Sequence, residues 1–477
     1  MAGAPAAGTT GRRLPPAGER ARQGVGAVQA LSSPPPRSTS QPMAIDLSPA
    51  QIEALAASGG RAGRPRLLLL LSSHSYRTAD LLAAADGLGV EVTVGSDTPT
   101  ALAGLAPGAT LTLPLADGEA TARAIVAFHA HYPVRAVVGL DDDTMIPAAR
   151  AAELLHLRAN PVAAVAAARD KLTTRRLLAA AGLPQPPCRL VAWRRELATA
   201  AAAVDYPCVL KPRDLGGSRG VIRADTVAAF VAAGERIGRI LTAVAHERRG
   251  QVDETLLAEG FITGVEVAVE GLLVAGHLHP ICLFDKPDPL DGPYFEETLY
   301  VTPSRLAPAT QVEIWRTAAA ACDGLGLVEG PVHIEIRIPA AGACHVVEVA
   351  PRTIGGLCGR TIRLAAGITL EEVVLRHALG GGAAAVPAQL PPAGVMMVPI
   401  PHGGRLVAVA GVEQARGLPN VAEVAITVPI GHRLVPLPEG DRYLGFLFAR
   451  GPTPAAVEAT LRAAHARLHF EIEAVDG

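Results

Sequence analysis

The 477-residue chain has no paired cysteines to build with: Cys188, Cys208, Cys282, Cys322, Cys344 and Cys358 are scattered, with no C-x-x-C among them. That spacing argues for neither a zinc cluster nor a disulfide framework and fits a reducing, cytoplasmic setting. Charge of one sign is missing as well, with 43 Lys plus Arg against 45 Asp plus Glu and a formal net charge of -2. Without a basic excess, or a stripe of interleaved aromatic and basic residues, no nucleic acid partner is expected. Hydrophobicity is high, mostly through alanine, yet no apolar run approaches the roughly 20 residues that span a bilayer, so no membrane role is expected. The chain also lacks G-x-x-x-x-G-K-[ST], which excludes a P-loop, and the lone "GVGAVQA" near residue 24 follows no strand and marks no dinucleotide site. The first segment has no apolar core of a secretory signal and only a faint transit-peptide composition.

What is present is length enough for two to four domains. Residues 1–62, rich in Ala, Gly, Pro, Ser and Arg and including "LSSPPPRSTSQP", are expected to be disordered, with Met43 as an alternative start. From Pro65 the pattern changes. "RLLLLL", "TADLLAAADGLG" and "VEVTVGSD" read as strand, helix and strand, and "VRAVVGLDDDT" leads into the helix-like "MIPAARAAELLHL", so 63–160 is expected to be a small parallel α/β domain. Loops at the carboxyl ends of such strands commonly hold ligands, which singles out Ser72 to Arg77 and Asp141 to Asp143, with helix caps as the plainer reading. After Asn160-Pro161, "RDKLTTRRLLAAAGLP" reads as a helix stopped by Gly182 and Pro184. "YPCVLKPRDLGGSRGVIRAD" reads as strand, glycine loop and strand, and "LLAEGFITGVEVAVEG" as strands with a bend between them. From 384 to 477 a β-rich lobe is expected, with "GVMMVPIP", "VAEVAITV" and "YLGFLFARG" as strands. A final helix should begin at Thr453 and Pro454 and carry an apolar stripe of Val457, Leu461, Ala464 and Leu468.

Chemistry concentrates in two places. In "GPVHIEIRIPAAGACHVVEVAPR" alternation puts Ile334, Ile336 and Ile338 on one face and His333, Glu335 and Arg337 on the other, while Glu348 and Arg352 share a side with Ala350 between them. Pairing the two runs as a hairpin brings Glu335 toward Glu348. Two carboxylates about 4 Å apart repel by roughly 4 kcal/mol at an effective dielectric near 20. Either a divalent cation or water must offset that. The second place is Lys211, which ends an apolar strand before Gly216, Gly217, Ser218, Arg219 and Gly220, a loop whose backbone can turn N–H groups toward an anion.

The order of these pieces, Lys171 on a helix, Lys211 and its glycine loop, Glu259 and Glu266 around a bend, then Glu335 and Glu348, resembles the ATP-grasp superfamily over about residues 65 to 470. The resemblance implies a mixed α/β and α+β chain: an N-terminal Rossmann-like α/β domain (63–160), an ATP-grasp domain (161–383) and a C-terminal β-rich lobe (384–477). It implies that Lys171 and Lys211 touch ATP, that Gly216 to Gly220 form a flap over its phosphates, and that Glu259, Gly260, Phe261 and Ile262 form the hinge beside adenine. Glu266 would hold ribose hydroxyls and His333 could reach phosphate. Glu335 and Glu348 would bind Mg²⁺, with Mn²⁺ as an alternative, and Arg352 would stabilise a developing acyl phosphate. The implied activity is an ADP-forming carboxylate-amine ligase with small-molecule acid and amine substrates, housed between residues 63–160 and the segment Phe284 to Ser304. His277 and His279 flank that segment and read as structural. Relatives also imply a homodimer. Ala350 departs from the family, many of whose members carry Asn there for a second metal. The alternatives are a biotin-carboxylase-like enzyme, disfavoured by "TIGGLCGR" and the lack of a biotinyl lysine, and an ATP-binding protein without catalysis.

Overall fold

The computed structural model describes residues 64–474 apart from 73–74, 76, 100–107, 249, 383–385 and 388. The extension 1–62, along with Ser73, His74 and Tyr76 of the first loop, thus lies outside the described residues.

The leucine run of β1 (Arg66–Leu70) has no polar alternation because both of its faces are covered. Leu67 and Leu69 pack with Leu81, Ala85 and Leu375, while Leu68 and Leu70 pack with Ala122, Ile125, Ala148 and Ala151. The strand is central in a parallel sheet of order β3-β2-β1-β4, completed by β2 (Glu91–Ser96), β3 (Thr110–Thr112) and β4 (Ala136–Gly139). The carboxyl end of β4 runs directly into Asp141 and the helix Asp142–Leu154. This placement sets the two aspartates at the edge of the cleft described below.

Helix Lys171–Ala180 is capped by Asp170, whose carboxylate accepts from the Thr173 amide at 2.7 Å, and ends before Gly182 at φ 75°. Next come β5 (Cys188–Ala192), β6 (Cys208–Lys211), β7 (Ile222–Ala224) and β8 (Thr255–Gly260), an antiparallel sheet of order β5-β8-β6-β7. Helix Val227–Glu247 lays Phe230, Ile237, Leu241 and Val244 on that sheet, an apolar stripe at helical spacing.

The larger sheet is antiparallel. It begins with β9 (Val265–Val274), β10 (His277–Lys286), β11 (Leu299–Thr302), β12 (Gly330–Ile338) and β13 (His345–Ala350). It then recruits strands from the last hundred residues, where the elements are β14 (Ala393–Val398), β15 (Gly404–Ala410), β16 (Val421–Ile426), β17 (Arg433–Leu434), β18 (Gly445–Arg450) and β19 (His469–Glu473). Its order is β13-β12-β9-β10-β11-β14-β18-β16, so one sheet joins strands that precede residue 351 to strands that follow residue 392, while β17-β15-β19 form a small separate sheet. Helix Pro308–Leu325 covers β9 and β12 through Ile314, Ala318, Ala321 and Leu325. No helix among the described residues is long and apolar enough to cross a membrane.

The final helix, Pro454–His465, has Val457, Leu461 and Ala464 fully buried, and Thr453 accepts from the Ala456 amide at 3.2 Å. Leu468, expected on its stripe, lies beyond the helix end, because the chain turns there with Leu468 N–H donating to His465 O; it still packs partly on the same core. Thr453→Ala is expected to lower stability by about 1 kcal/mol, the usual worth of such a cap, measured as a shift in urea midpoint with unchanged slope.

Candidate active site

Strand parity builds the wall. Ile334, Ile336 and Ile338 enter the core, and the opposite face of β12 shows His333, Glu335 and Arg337. Glu335 is the cross-strand partner of Glu348, with a bulge following at Ile336. Across the neighbouring strands, His333 faces Glu270, and Glu266 stands between Arg337 and Lys286. The result is a charged band over β13, β12, β9 and β10.

The carboxylates of that band are already partnered. Lys286, buried at the end of β10, donates to Glu266 at 2.7 Å, to Glu335 at 3.0 Å and to Glu297, with the Tyr300 ring 5.2 Å from its nitrogen. Burial opposes the charge of Lys286, but Glu266, Glu297 and Glu335 outweigh it and raise its pKa far above the ordinary lysine value. Burial likewise opposes the charge of Glu335, but Lys286 and His333 bring its pKa down to about 2. Glu348 faces Lys171 at 3.5 Å. Its pKa is lowered against burial by Lys171, Arg352 and Lys211.

His333 is buried with Nδ1 2.5 Å from Glu270 and Nε2 3.5 Å from Glu335. Burial disfavours its charge, yet the two glutamates raise its pKa to about 9. The ring serves carboxylates on both sides, so the sequence expectation that it faces phosphate is corrected.

Glu259 also differs from expectation. Its side chain, 4% exposed, does not line solvent but is clasped by Arg175, with Nε at 2.7 Å, and by Lys211 at 2.5 Å. Arg175, 2% exposed, further donates to Val346 O at 2.9 Å and Val347 O at 2.7 Å. One side chain thus binds helix Lys171–Ala180, β8 and β13 together. Burial would raise the Glu259 pKa, but Arg175 and Lys211 bring it to about 2; burial also lowers that of Lys211. Arg175 escaped the sequence reading, although its spacing of four from Lys171 puts both on one helix face.

Beside Glu259, the hinge amides of Gly260 and Phe261 donate to Pro187 O at 2.9 Å and Pro207 O at 3.1 Å. Those two N–H groups are therefore held by the protein. The Phe261 ring lies between the guanidinium groups of Arg223 at 4.4 Å and Arg337 at 5.0 Å, and Ile262 is half-buried next to it.

The glycine loop follows β6. Lys171 Nζ donates to Leu215 O at 2.6 Å at its base. Gly217, Ser218 and Gly220 have φ of 62°, 56° and 74°, a left-handed path that glycine takes without cost and serine does not. A Cβ at Gly220 would lie 2.8 Å from Pro212 Cγ. Two donors expected to face an anion are turned elsewhere: the Gly220 amide goes to Pro438 O at 2.9 Å and Arg219 Nε to Glu439 O at 2.8 Å. Opposite the loop, Arg352 forms a fork with Asp142 at 2.7 and 3.0 Å, a contact that brings residues 63–160 to the cleft. Asp142, Lys286 and Glu297 were given no individual role by the sequence, although the first falls in the run Asp141 to Asp143 and the other two in the stretch Phe284 to Ser304.

For a metal, the donor set consists of hard oxygens. Glu266, Glu297 and Glu335 each place a ligand oxygen within 4.8 Å of the others, and Glu348 is the cross-strand partner of Glu335. Such a set fits a divalent cation of the Mg²⁺ type. Ala350 adds a buried methyl and no donor.

A cleft with two lysines, a glycine loop and paired glutamates between two antiparallel sheets defines the class: the chain belongs to the ATP-grasp superfamily. The ATP-grasp domain pattern matches residues 204–361, the ATP-grasp N-terminal domain matches 82–157, and L-amino acid ligase C-terminal domain 2 matches 396–473. Among solved structures the chain is similar to the L-amino acid ligase of Bacillus licheniformis, with TM-score 0.71 and 25% identity, covering 86% of this chain and 99% of that one. It is 25% identical over 256 residues to alanine–anticapsin ligase of Bacillus amyloliquefaciens, covering 51% of this chain and 54% of that protein. It is 26% identical over 222 residues to D-alanine–D-alanine ligase of Ectopseudomonas mendocina, covering 45% and 66%. The chain spans about half the length of the alanine–anticapsin ligases it matches.

Glu259→Gln leaves Lys211 and Arg175 buried around a neutral partner, with an expected cost of about 3–5 kcal/mol. Arg175 and Lys211 hold the carboxylate at about 2 in the folded protein, against an ordinary 4.5, so its contribution is complete above the higher value and is lost as pH falls toward the lower one. Urea titrations across that window should show a steep loss in the wild type and a flatter profile in the variant.

Proposed function

We propose that this protein is an ATP-dependent carboxylate-amine ligase that forms an amide or peptide bond through an acyl phosphate. The observation that carries the reading is the convergence of Lys171, Lys211, Arg352 and the Glu335–Glu348 pair, from three separate stretches of chain, on one cleft. The similarity to L-amino acid ligase and alanine–anticapsin ligase supports the same chemistry.

In this reading Lys171 and Lys211 bind the nucleotide phosphates, and the loop Gly216 to Gly220 closes over them and excludes water. Glu335 and Glu348, with Glu266 or Glu297, would hold Mg²⁺ or Mn²⁺, which supplies charge neutralisation to the triphosphate. A substrate carboxylate oxygen bonds to the γ-phosphorus as the bond to the ADP oxygen breaks. The amine then attacks the acyl carbon, phosphate leaves, and the amine gives up a proton. Arg352 offsets negative charge on the acyl phosphate, for which it must exchange its Asp142 partner for the reacting group. Lys286 keeps Glu266, Glu297 and Glu335 gathered while the site is empty. The acid and amine are small molecules, and the homodimer implied by relatives predicts a solution mass of about two chains.

Purified protein with Mg-ATP and pooled amino acids and amines should release ADP and phosphate together with a new mass equal to acid plus amine minus water. Phosphate release driven by bicarbonate alone would overturn the reading in favour of carboxylation. Lys211→Ala is expected to reduce kcat/KM by at least about 10³-fold, since it removes a preorganised cation. Its fold should persist, because Arg175 still pairs Glu259, as circular dichroism would check. Ala350→Asn restores an amide oxygen near Glu348, and is expected to lower the Mg²⁺ concentration giving half-maximal rate.

A further inference from the structure

The tip of the glycine loop is fastened to a part of the chain that the chemistry above does not use. The fastening element is the turn Pro436 to Asp441, which precedes β18 and is closed by Gly440 N–H donating to Pro436 O at 2.9 Å. Pro438 O accepts from the Gly220 amide at 2.9 Å, and Glu439 O accepts from Arg219 Nε at 2.8 Å. The Glu439 carboxylate then takes a two-pronged bond from Arg236, Nε at 2.6 Å and a terminal nitrogen at 2.8 Å. Arg236 belongs to helix Val227–Glu247, which follows the loop, and it also donates to the Tyr294 hydroxyl while lying 5.1 Å from that ring. Tyr294 in turn forms a backbone bridge with Ile222, the first residue after the loop's return into β7.

We propose that Glu439 is a positioning residue that latches the phosphate loop in its closed position through Arg219 and Arg236. The geometry has three parts that an incidental surface ion pair lacks. Adjacent carbonyls, 438 and 439, receive adjacent loop residues, 220 and 219, so the loop docks in a single register. The Arg236 fork fixes the turn that presents those carbonyls, because a bidentate guanidinium bond defines orientation as well as distance. Tyr294 then ties the same arginine to the segment Phe284 to Ser304, so loop closure and the acceptor side of the cleft share one anchor. Glu439 acts through Arg219 and Arg236. Its effect is on how long the loop stays shut, which decides whether a reactive phosphate meets the amine or water.

The inference rests on the ligase reading for its consequence but not for its geometry, and the two are separated by measuring exchange without nucleotide. Hydrogen exchange of the peptide 213–224 in the full-length protein should be about ten-fold faster in Glu439→Gln and in Arg236→Met than in the wild type. The double variant should be no faster than the faster single one, and helix Pro308–Leu325 should be unchanged in all. With Mg-ATP and a productive acid and amine, both variants should raise KM for ATP more than they lower kcat, and should release several times more phosphate per amide formed. Unchanged exchange of 213–224 in both single variants overturns the latch, as does a double variant whose effects simply multiply. Faster exchange confined to 213–224, with no ligation by the wild type on any substrate, leaves the latch standing and removes the ligase reading alone.

Discussion

The cleft depends on the buried cluster of Arg175, Glu259 and Lys211. Arg175 joins a helix to two strands from different sheets, and Glu259 lets that guanidinium and the Lys211 ammonium lie side by side without solvent. Two cations brought together in a poorly polarisable interior repel strongly unless an anion lies between them. The carboxylate meets that need and fixes the position of Lys211 relative to the hairpin that carries Glu348. Without this cluster helix Lys171–Ala180, β8 and β13 would lose the polar anchor they share.

The same principle recurs across the cleft. Lys171 faces Glu348, Lys286 sits among Glu266, Glu297 and Glu335, and Arg352 grips Asp142. Each cation that a phosphate would attract has a protein carboxylate beside it. A site built this way avoids uncompensated charge, and the cost is that a highly charged ligand must replace internal pairs rather than fill a vacuum. Exchange of partners of similar strength is a means of binding a highly charged ligand without requiring the free protein to hold like charges together.

Much of this was legible in the sequence. Alternation along Gly330 to Arg352 separated the isoleucines from His333, Glu335 and Arg337, since side chains on a strand must alternate. The capped final helix followed from Thr453 and Pro454, and the unbroken "RLLLLL" followed from a strand covered on both faces. What escaped was the partner of each charge. Glu259 read as a hinge residue alone, because nothing local marks that Arg175, 84 positions earlier, closes on it. His333 read as a phosphate contact, because Glu270, 63 positions earlier, is invisible to periodicity. Donors in the glycine loop read as anion ligands, because the turn at Pro438 that receives them lies more than two hundred residues further on.

Local sequence therefore determined which elements form, which face of each is apolar, and which residue types populate the polar band, since those properties depend on neighbours within a few positions. Tertiary structure alone decided which carboxylate meets which cation, that strands after residue 384 complete the sheet begun at β9, and that the glycine loop closes onto the last lobe. Those outcomes depend on distances between segments far apart in the chain, and electrostatic pairing acts through space with no trace in the local pattern.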